Sequence, residues 1–404
     1  MSEHMALENL TVLDLTRVLA GPFCTMMLAD MGANVIKIEV PKGGDDTRSY
    51  PPFRAKNLNG ERESVYFANI NRNKKGITLN LKAPEGKEIF KELVKKADIV
   101  VENYRPGVMD KLGLGYDVLK EINPRIIYAA VSGFGCYGPY HLRPGYDILA
   151  QAMGGMMSIT GSKGGEPTRA GSALGDILGG LHVTIGILAA VNARTITGKG
   201  QRVDVSLMDS MIAATENTAL KYIETGNIPA PMGNRYAAVS PYDSFTCKGS
   251  KVIIAAGNQK LYEKLCNEVL ERPDMITDPR FVDMPGRLAN QDAIAEVIEE
   301  RIKDLTPNEA AELVLAHGIP AGPIMNIKEI LDDPHVKERE MFVEMDHPTL
   351  GKVTVNGCAI KLMDTKPSVR TPAPQLGQNN RDIFEGVLGM TEEQFNTLHE
   401  KQVF

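Results

Sequence analysis

The sequence predicts an α/β protein: a mostly parallel sheet covered by helices, with a second, smaller α+β domain. Three observations carry this expectation. Strand and helix patterns alternate through the first 135 residues, and a long, nearly all-apolar helical pattern follows at residues 171–197. Composition then shifts to Gly, Asn and Pro at residues 224–242, before short strands and amphipathic helices resume. Alternation of this kind joins parallel strands through crossover helices. A chain of 404 residues exceeds what one core usually organises, so about two domains are expected.

Each element has a local reason. Leu10–Leu15 reads as a short buried strand. Gly21–Met31 is a helix pattern with Pro22 in its first turn, where a missing N–H costs nothing. Val35–Glu39 and Ile77–Leu81 read as strands, and Pro84–Lys96 as an amphipathic helix opened by Pro and Glu. Strand Ile99–Glu102, helix Tyr116–Ile122 and strand Ile126–Ser132 continue the alternation. The Gly171–Thr197 pattern is apolar nearly all round, which places it in the core or at a subunit interface. Arg202–Leu207 reads as a strand and Met208–Tyr222 as one helix. Ser244–Cys247 and Val252–Ala256 pair across Lys248-Gly-Ser250. Helices follow at Gln259–Glu271, Ala293–Asp304 and Pro307–His317, the last with Thr306 as its N-cap. Strands near Phe342–Asp346 and Lys352–Val355 and a helix after Thr391 close the chain.

Composition excludes several classes of function. Hydrophobic residues make up 43% and charged residues 24%, the mix of a soluble globular protein. A net charge of −6 argues against general nucleic-acid binding, which needs a basic face. Cys24, Cys136, Cys247, Cys266 and Cys358 form no CxxC pair and are odd in number. That pattern suits reduced thiols in the cytoplasm and not a disulfide scaffold or zinc site, so no metal is expected. The N-terminus lacks a signal-peptide pattern, and the apolar stretch Ile177–Val191 is too short for a bilayer span, so no membrane partner is expected. Gly133-Phe-Gly135-Cys-Tyr-Gly138 matches GxGxxG, but Pro139 and Pro144 follow it and no acid stands about 20 positions on. It reads as a loop that brings backbone near a ligand, and NAD is not expected.

Asp176 is the residue that points to chemistry. It stands in Gly171-Ser-Ala-Leu-Gly-Asp176-Ile-Leu-Gly-Gly180, where a loop gives way to the long helix. Taken alone, an Asp there reads first as an ordinary N-cap. Glycines on both sides also let another group approach closely, which suits a carboxylate nucleophile.

Several stretches together resemble one family. They are Val12-Leu-Asp-Leu-Thr-Arg-Val-Leu-Ala-Gly-Pro22, Asp30-Met-Gly-Ala-Asn-Val-Ile-Lys-Ile-Glu39, Gly44-Asp-Asp-Thr-Arg48 and Asn71-Arg-Asn-Lys-Lys-Gly76. Ala97-Asp-Ile-Val-Val-Glu-Asn-Tyr-Arg-Pro-Gly107, Ser132-Gly-Phe-Gly135, the Asp176 stretch and Gly198-Lys-Gly-Gln-Arg-Val-Asp-Val-Ser206 complete the set, with Gly318-Ile-Pro-Ala-Gly-Pro323 and Pro372-Ala-Pro-Gln-Leu-Gly377 further on. The chain resembles the class III CoA-transferases, the family of formyl-CoA transferase and the carnitine and bile-acid-inducible CoA-transferases. The resemblance implies a large Rossmann-like domain built from both chain ends, with a small domain inserted, in an interlocked homodimer. It suggests residues 1–222 and 326–404 for the large domain and 223–325 for the small one.

The resemblance also implies the chemistry. Asp176, ionised at neutral pH, attacks an acyl-CoA; an aspartyl anhydride and an aspartyl-CoA thioester follow, and CoA passes to a small carboxylic or dicarboxylic acid. Backbone N–H groups around Gly175, Ile177 and Gly179 are candidates to stabilise oxyanions. Coenzyme A, as acyl-CoA substrate, is expected near Arg17, Val18, Leu19, Ala20, Leu79, Lys82, Asn103, Tyr104, Arg105, Lys111, Arg143, Tyr146 and Asp147. Lys74 and Lys75 read either as phosphate contacts or as a solvated turn. The 233–241 stretch lacks the glycine run of formyl-CoA transferase and is closer to the acetyl-CoA:oxalate type. There Gly233, Asn234, Arg235 and Tyr236 form a substrate loop, with Arg235 either a carboxylate clamp or a tie holding the loop. Two other readings stay open. One is an α-methylacyl-CoA racemase, although such enzymes place a His where this chain has Tyr146. The other is a CoA-binding subunit without catalysis.

Overall fold

The computed structural model describes residues 4–54, 60 and 62–404. Strand β1 (Thr11–Asp14) leads through helix α1 (Ala20–Asp30) to β2 (Asn34–Glu39), then to β3 (Lys74–Thr78). Helix α2 (Pro84–Lys96), β4 (Ile99–Glu102), α3 (Tyr116–Ile122) and β5 (Ile127–Ser132) follow. Helices α4 (Asp147–Met153) and α5 (Leu174–Thr197), strand β6 (Arg202–Ser206) and helix α6 (Leu207–Ala213) complete this run. All neighbouring pairs are parallel, and the sheet order is β3-β2-β1-β4-β5-β6. That is the doubly wound order, whose direction reverses between β1 and β4; ligands in such sheets bind beyond the strands' carboxyl ends at this switch point.

Successive side chains of a strand face opposite sides of the sheet. Val12, Val35 and Ile99 therefore join one core with α1 and α5, while Leu13, Ile36 and Val100 join the other with α2 and α3. Phe384, Phe395 and Phe404 pack into that second core, so the chain's last residues help to cover the sheet. The chain divides into two compact units. Unit 1 holds residues 1–157, 169–225 and 334–404; unit 2 holds residues 158–168 and 226–333. Segment 158–168, which the sequence reading leaves within 1–222, joins unit 2 through the Gly233 N–H bond to Gly161 O, at 2.9 Å. Unit 2 centres on an antiparallel sheet of β7 (Tyr242–Cys247), β8 (Ser250–Ala255) and β9 (Ala321–Pro323), with β8 in the middle. Unit 1 carries a further antiparallel pair, Phe342–His347 with Gly351–Asn356.

Three expectations need correcting. The third strand starts at Lys74, because Lys74 is buried against Asp14 at 3.0 Å and is neither a solvated turn residue nor a phosphate contact. The Met208–Tyr222 segment forms two helices, α6 and Thr218–Thr225. Helix α5, at 24 residues, is long and apolar enough to cross a membrane, unlike the shorter stretch measured from sequence. Here it packs one face into unit 1: Val183, Ile187 and Ala190 are buried, Ile185 and Ile196 are exposed, and Arg194 in its last turn pairs with Asp98 at 3.0 Å. Its close approach to α1 requires Gly180, where a Cβ would lie 2.8 Å from the carbonyl oxygen of Ala20.

Candidate active site

The switch point holds a cavity of about 320 Å³, entirely within unit 1. Its walls come from the loop after β1 (Arg17, Val18, Leu19) and the first residue of α1 (Ala20), the loop after β4 (Asn103, Tyr104, Arg105) and the 143–146 segment, with Asp176 facing in. The two strand-end loops clasp each other. Arg17 N–H donates to Asn103 Oδ1 at 2.9 Å, and Asn103 Nδ2 donates to Arg17 O at 2.6 Å. Val18 sits at φ +67°, unfavourable for a β-branched residue, so its surroundings must hold it there. Its N–H donates to Asp45 Oδ1 at 3.2 Å, and Asp45 pairs with the fully buried Lys37 at 2.8 Å. Burial opposes ionisation of Asp45 most strongly, but the Lys37 charge and the hydrogen bonds from Lys37 and Thr47 together outweigh it and hold the carboxyl below its ordinary range. Asp45, Lys37 and Asn103 thus set the shape of the wall. Of these, the sequence reading singled out only Asn103; Asp45 lies in a quoted motif, Gly44-Asp-Asp-Thr-Arg48, without a role.

A second cavity of about 600 Å³ shares Arg17, Tyr104 and Val108 with the first and adds Leu79, Lys82, Lys42 and Lys401. The Tyr104 N–H donates to Glu102 at 2.7 Å, and the Tyr128 hydroxyl donates to the same carboxyl at 3.2 Å. Burial pushes Glu102 up to about 7. The Arg143 guanidinium lies 3.8 Å above the Tyr140 ring, on the first cavity's rim beside the exposed Tyr146. The structure does not bring Lys111 to either cavity; it lies exposed on the short helix Val108–Leu112. Nor does Asp147 line them. Gly233, Asn234, Arg235 and Tyr236 belong to unit 2, where Asn234 Nδ2 bonds Ser244 Oγ at 2.9 Å. Arg235 pairs through Nε with Asp243 at 2.9 Å and through Nη2 with Asp292, which makes it a tie within unit 2.

Asp176 is not an N-cap. Helix α5 starts at Leu174 behind Ala173, so Asp176 occupies the third helical position, with its backbone N–H and that of Gly175 facing Asp147. Gly175 N–H is taken by Asp147, Ile177 N–H bonds Ala173 O at 3.0 Å, and Gly179 is inside the helix, so these groups are not available as oxyanion donors. Among the described residues no side chain bonds the Asp176 carboxylate. Burial, and then the charge of Asp147, push it up to about 7, so it is not fully ionised at neutral pH as its ordinary value suggests. His182, six residues on, is about 240° round the helix and pairs with Ser210 Oγ at 2.9 Å. His141 Nδ1 lies 2.7 Å from Gly138 O. The GxGxxG loop approaches protein and not only ligand: a Cβ on Gly133 would lie 2.5 Å from Gly145 Cα, so this glycine seats the 143–147 segment against the end of β5. Among the described residues no cluster of His, Cys, Asp or Glu is placed to hold a metal ion.

The doubly wound domain places an uncompensated carboxylate and two adjoining cavities beyond the strands' carboxyl ends, where such sheets bind ligands. The sequence profile described as CoA-transferase family III matches residues 7–380, and the chain belongs to that family. It is 42% identical over 387 residues to a succinyl-CoA:mesaconate CoA-transferase of Haloarcula marismortui, covering 94% of this chain and 96% of that one. It is 40% identical over 373 residues to an acetyl-CoA:oxalate CoA-transferase of Acetobacter aceti, covering 92% and 93%. A solved CAIB/BAIF family protein of Brucella suis superposes with a TM-score of 0.82 at 37% identity, covering 95% of this chain and 99% of that one. The protein is thus a CoA-transferase whose substrates are an acyl-CoA and a carboxylic acid.

Proposed function

We propose that this enzyme moves CoA between an acyl-CoA and a small carboxylic or dicarboxylic acid, with Asp176 as the covalent acceptor. The observation that carries the reading is the Asp176 carboxylate, unbonded and facing the switch-point cavity. One Asp176 oxygen attacks the thioester carbonyl carbon; the C–S bond breaks and CoA leaves as thiolate. The thiolate attacks the Asp176 carbonyl carbon of the anhydride, forming an aspartyl-CoA thioester and releasing the donor acid as carboxylate. The acceptor carboxylate attacks that thioester, and the freed thiolate then attacks the acceptor's acyl carbon, restoring Asp176. Dividing the exchange into such steps lowers each barrier. Atoms and charge balance without a proton, provided Asp176 starts ionised.

Lys82 and Lys42 give the second cavity cations for the CoA phosphates, joined by Arg17 and Lys401, which pair with Asp46 at 3.0 Å and Glu85 at 3.4 Å, and Tyr104 lies between the two cavities. The relatives' names, mesaconate and oxalate, support a dicarboxylic acceptor. Exposed Ile185 and Ile196 on the long helix of unit 1, at 63% and 81%, support a homodimer, measurable by sedimentation; its interlocked form rests on the family resemblance alone. The five free thiols support a cytoplasmic setting. The test is a matrix of acyl-CoA donors against carboxylic acids, with products followed by mass. A new acyl-CoA made only when donor and acceptor are both present supports transfer. Solvent deuterium entering the α-carbon with no acceptor present supports a racemase instead.

A further inference from the structure

We propose that Asp147 is a positioning residue that caps the Asp176 helix from outside its own sequence, with Gln151 holding it in that pose. The inference rests on the reading of Asp176 as acyl acceptor. A helix leaves its first N–H groups without internal partners. Helix α5 has no cap of its own, because Ala173 offers no side-chain oxygen. Asp147 Oδ1 accepts from Gly175 N–H at 2.7 Å and from Asp176 N–H at 3.4 Å. Its other oxygen accepts from Gln151 Nε2 at 2.8 Å. Gln151 lies four residues on, one turn along the same face of α4, and is fully buried. Its own Oε1 accepts from Ala170 N–H at 2.9 Å. One turn of α4 therefore grips both the start of α5 and the segment that leads into it.

The fit is close. A Cβ on Gly175 would lie 3.0 Å from Asp147 Oδ1 and 3.4 Å from the Ala150 Cβ. Among the described residues, the ionisable groups around Asp176 are Asp147 from α4, Tyr66 from the Val65–Ile70 helix, and Arg17, Asp46, Arg105, Arg143 and the phenols of Tyr50, Tyr104 and Tyr146 from the cavity wall. Of these, Asp147 opposes ionisation of Asp176, second to burial. The capping carboxylate thus fixes where the acceptor's helix starts and adds to the burial that opposes its ionisation.

The test compares the parent with Asp147→Asn, which keeps the shape without the charge, and Asp147→Ala, which removes both. Acylation by succinyl-CoA in a single turnover is trapped with hydroxylamine across pH, and amide hydrogen exchange is followed at residues 174–177. Asp147→Ala is expected to slow acylation about 100-fold with half-saturation little changed, as a misaimed nucleophile does, and to speed exchange at 174–177. Asp147→Asn is expected to move the acid inflection of acylation to lower pH. The exchange arm reads the cap without chemistry, so a parent that forms no hydroxamate overturns the acceptor reading while the cap is still judged. Unchanged exchange in Asp147→Ala overturns the cap. Parental rates and inflections in both variants overturn the positioning role.

Discussion

Replacing Asp176 by Asn is expected to disable the enzyme and to stabilise it, and the stabilisation should depend on pH. The carboxyl is pushed from 3.8 up to about 7, first by burial and then by Asp147. A carboxyl whose folded value lies above its unfolded one holds its proton more tightly in the fold. It therefore costs the fold nothing below its unfolded value of 3.8, and the cost grows until pH passes about 7. At 1.36 kcal/mol per unit the full cost is about 4 kcal/mol. Asp176 is only partly buried, so solvent screening brings this to about 1–2 kcal/mol. Asn keeps the volume and cannot ionise. Thermal unfolding of parent and variant across pH should show the variant melting a few degrees higher at about pH 8, with the gap closing toward about pH 4. A gap that is absent at high pH, or constant with pH, would refute the reasoning.

Other expectations follow from the same geometry. The kcat/KM of the parent should fall about ten-fold per pH unit below an inflection near 7, because only ionised Asp176 attacks; a flat profile down to about pH 5 contradicts this. Lys74→Ala leaves Asp14 buried without its nearest cation and should cost about 3–5 kcal/mol in denaturant unfolding. Gly133→Ala drives a Cβ to 2.5 Å from Gly145 Cα and should displace the segment carrying Asp147, lowering the acylation rate at preserved secondary structure by circular dichroism. Arg235→Ala should lower the unfolding midpoint with little change in KM for the acceptor acid, since its Nε and Nη2 are already paired with Asp243 and Asp292; a large rise in KM at unchanged stability would make it a clamp.

Much of the fold is legible because buried parallel strands leave continuous apolar runs, such as Val12-Leu13 and Ile99-Val-Val101. Local caps are legible for a similar reason: Thr306 and Glu309 form a capping box within one turn. What escapes sequence reading depends on partners distant along the chain. Lys74 looks like a surface charge until Asp14, 60 residues earlier, neutralises it. Asp176 looks like an N-cap because the real cap, Asp147, comes from a helix 28 residues before the Gly175 N–H it accepts. Helix α4 itself is only seven residues long and follows Pro144 and Gly145, which read as breakers. The proposal of Asp176 as acyl acceptor starts from the family motifs; its raised proton affinity is not legible there, since that comes from three-dimensional burial and a like charge distant along the chain.

The most direct test of the central claim is to mix the enzyme with an acyl-CoA, add hydroxylamine, and map the modified residue by peptide mass spectrometry. The account predicts a hydroxamate on Asp176, absent in Asp176→Asn and absent without acyl-CoA. Turnover with no adduct at Asp176, or an adduct on any other residue, would contradict it.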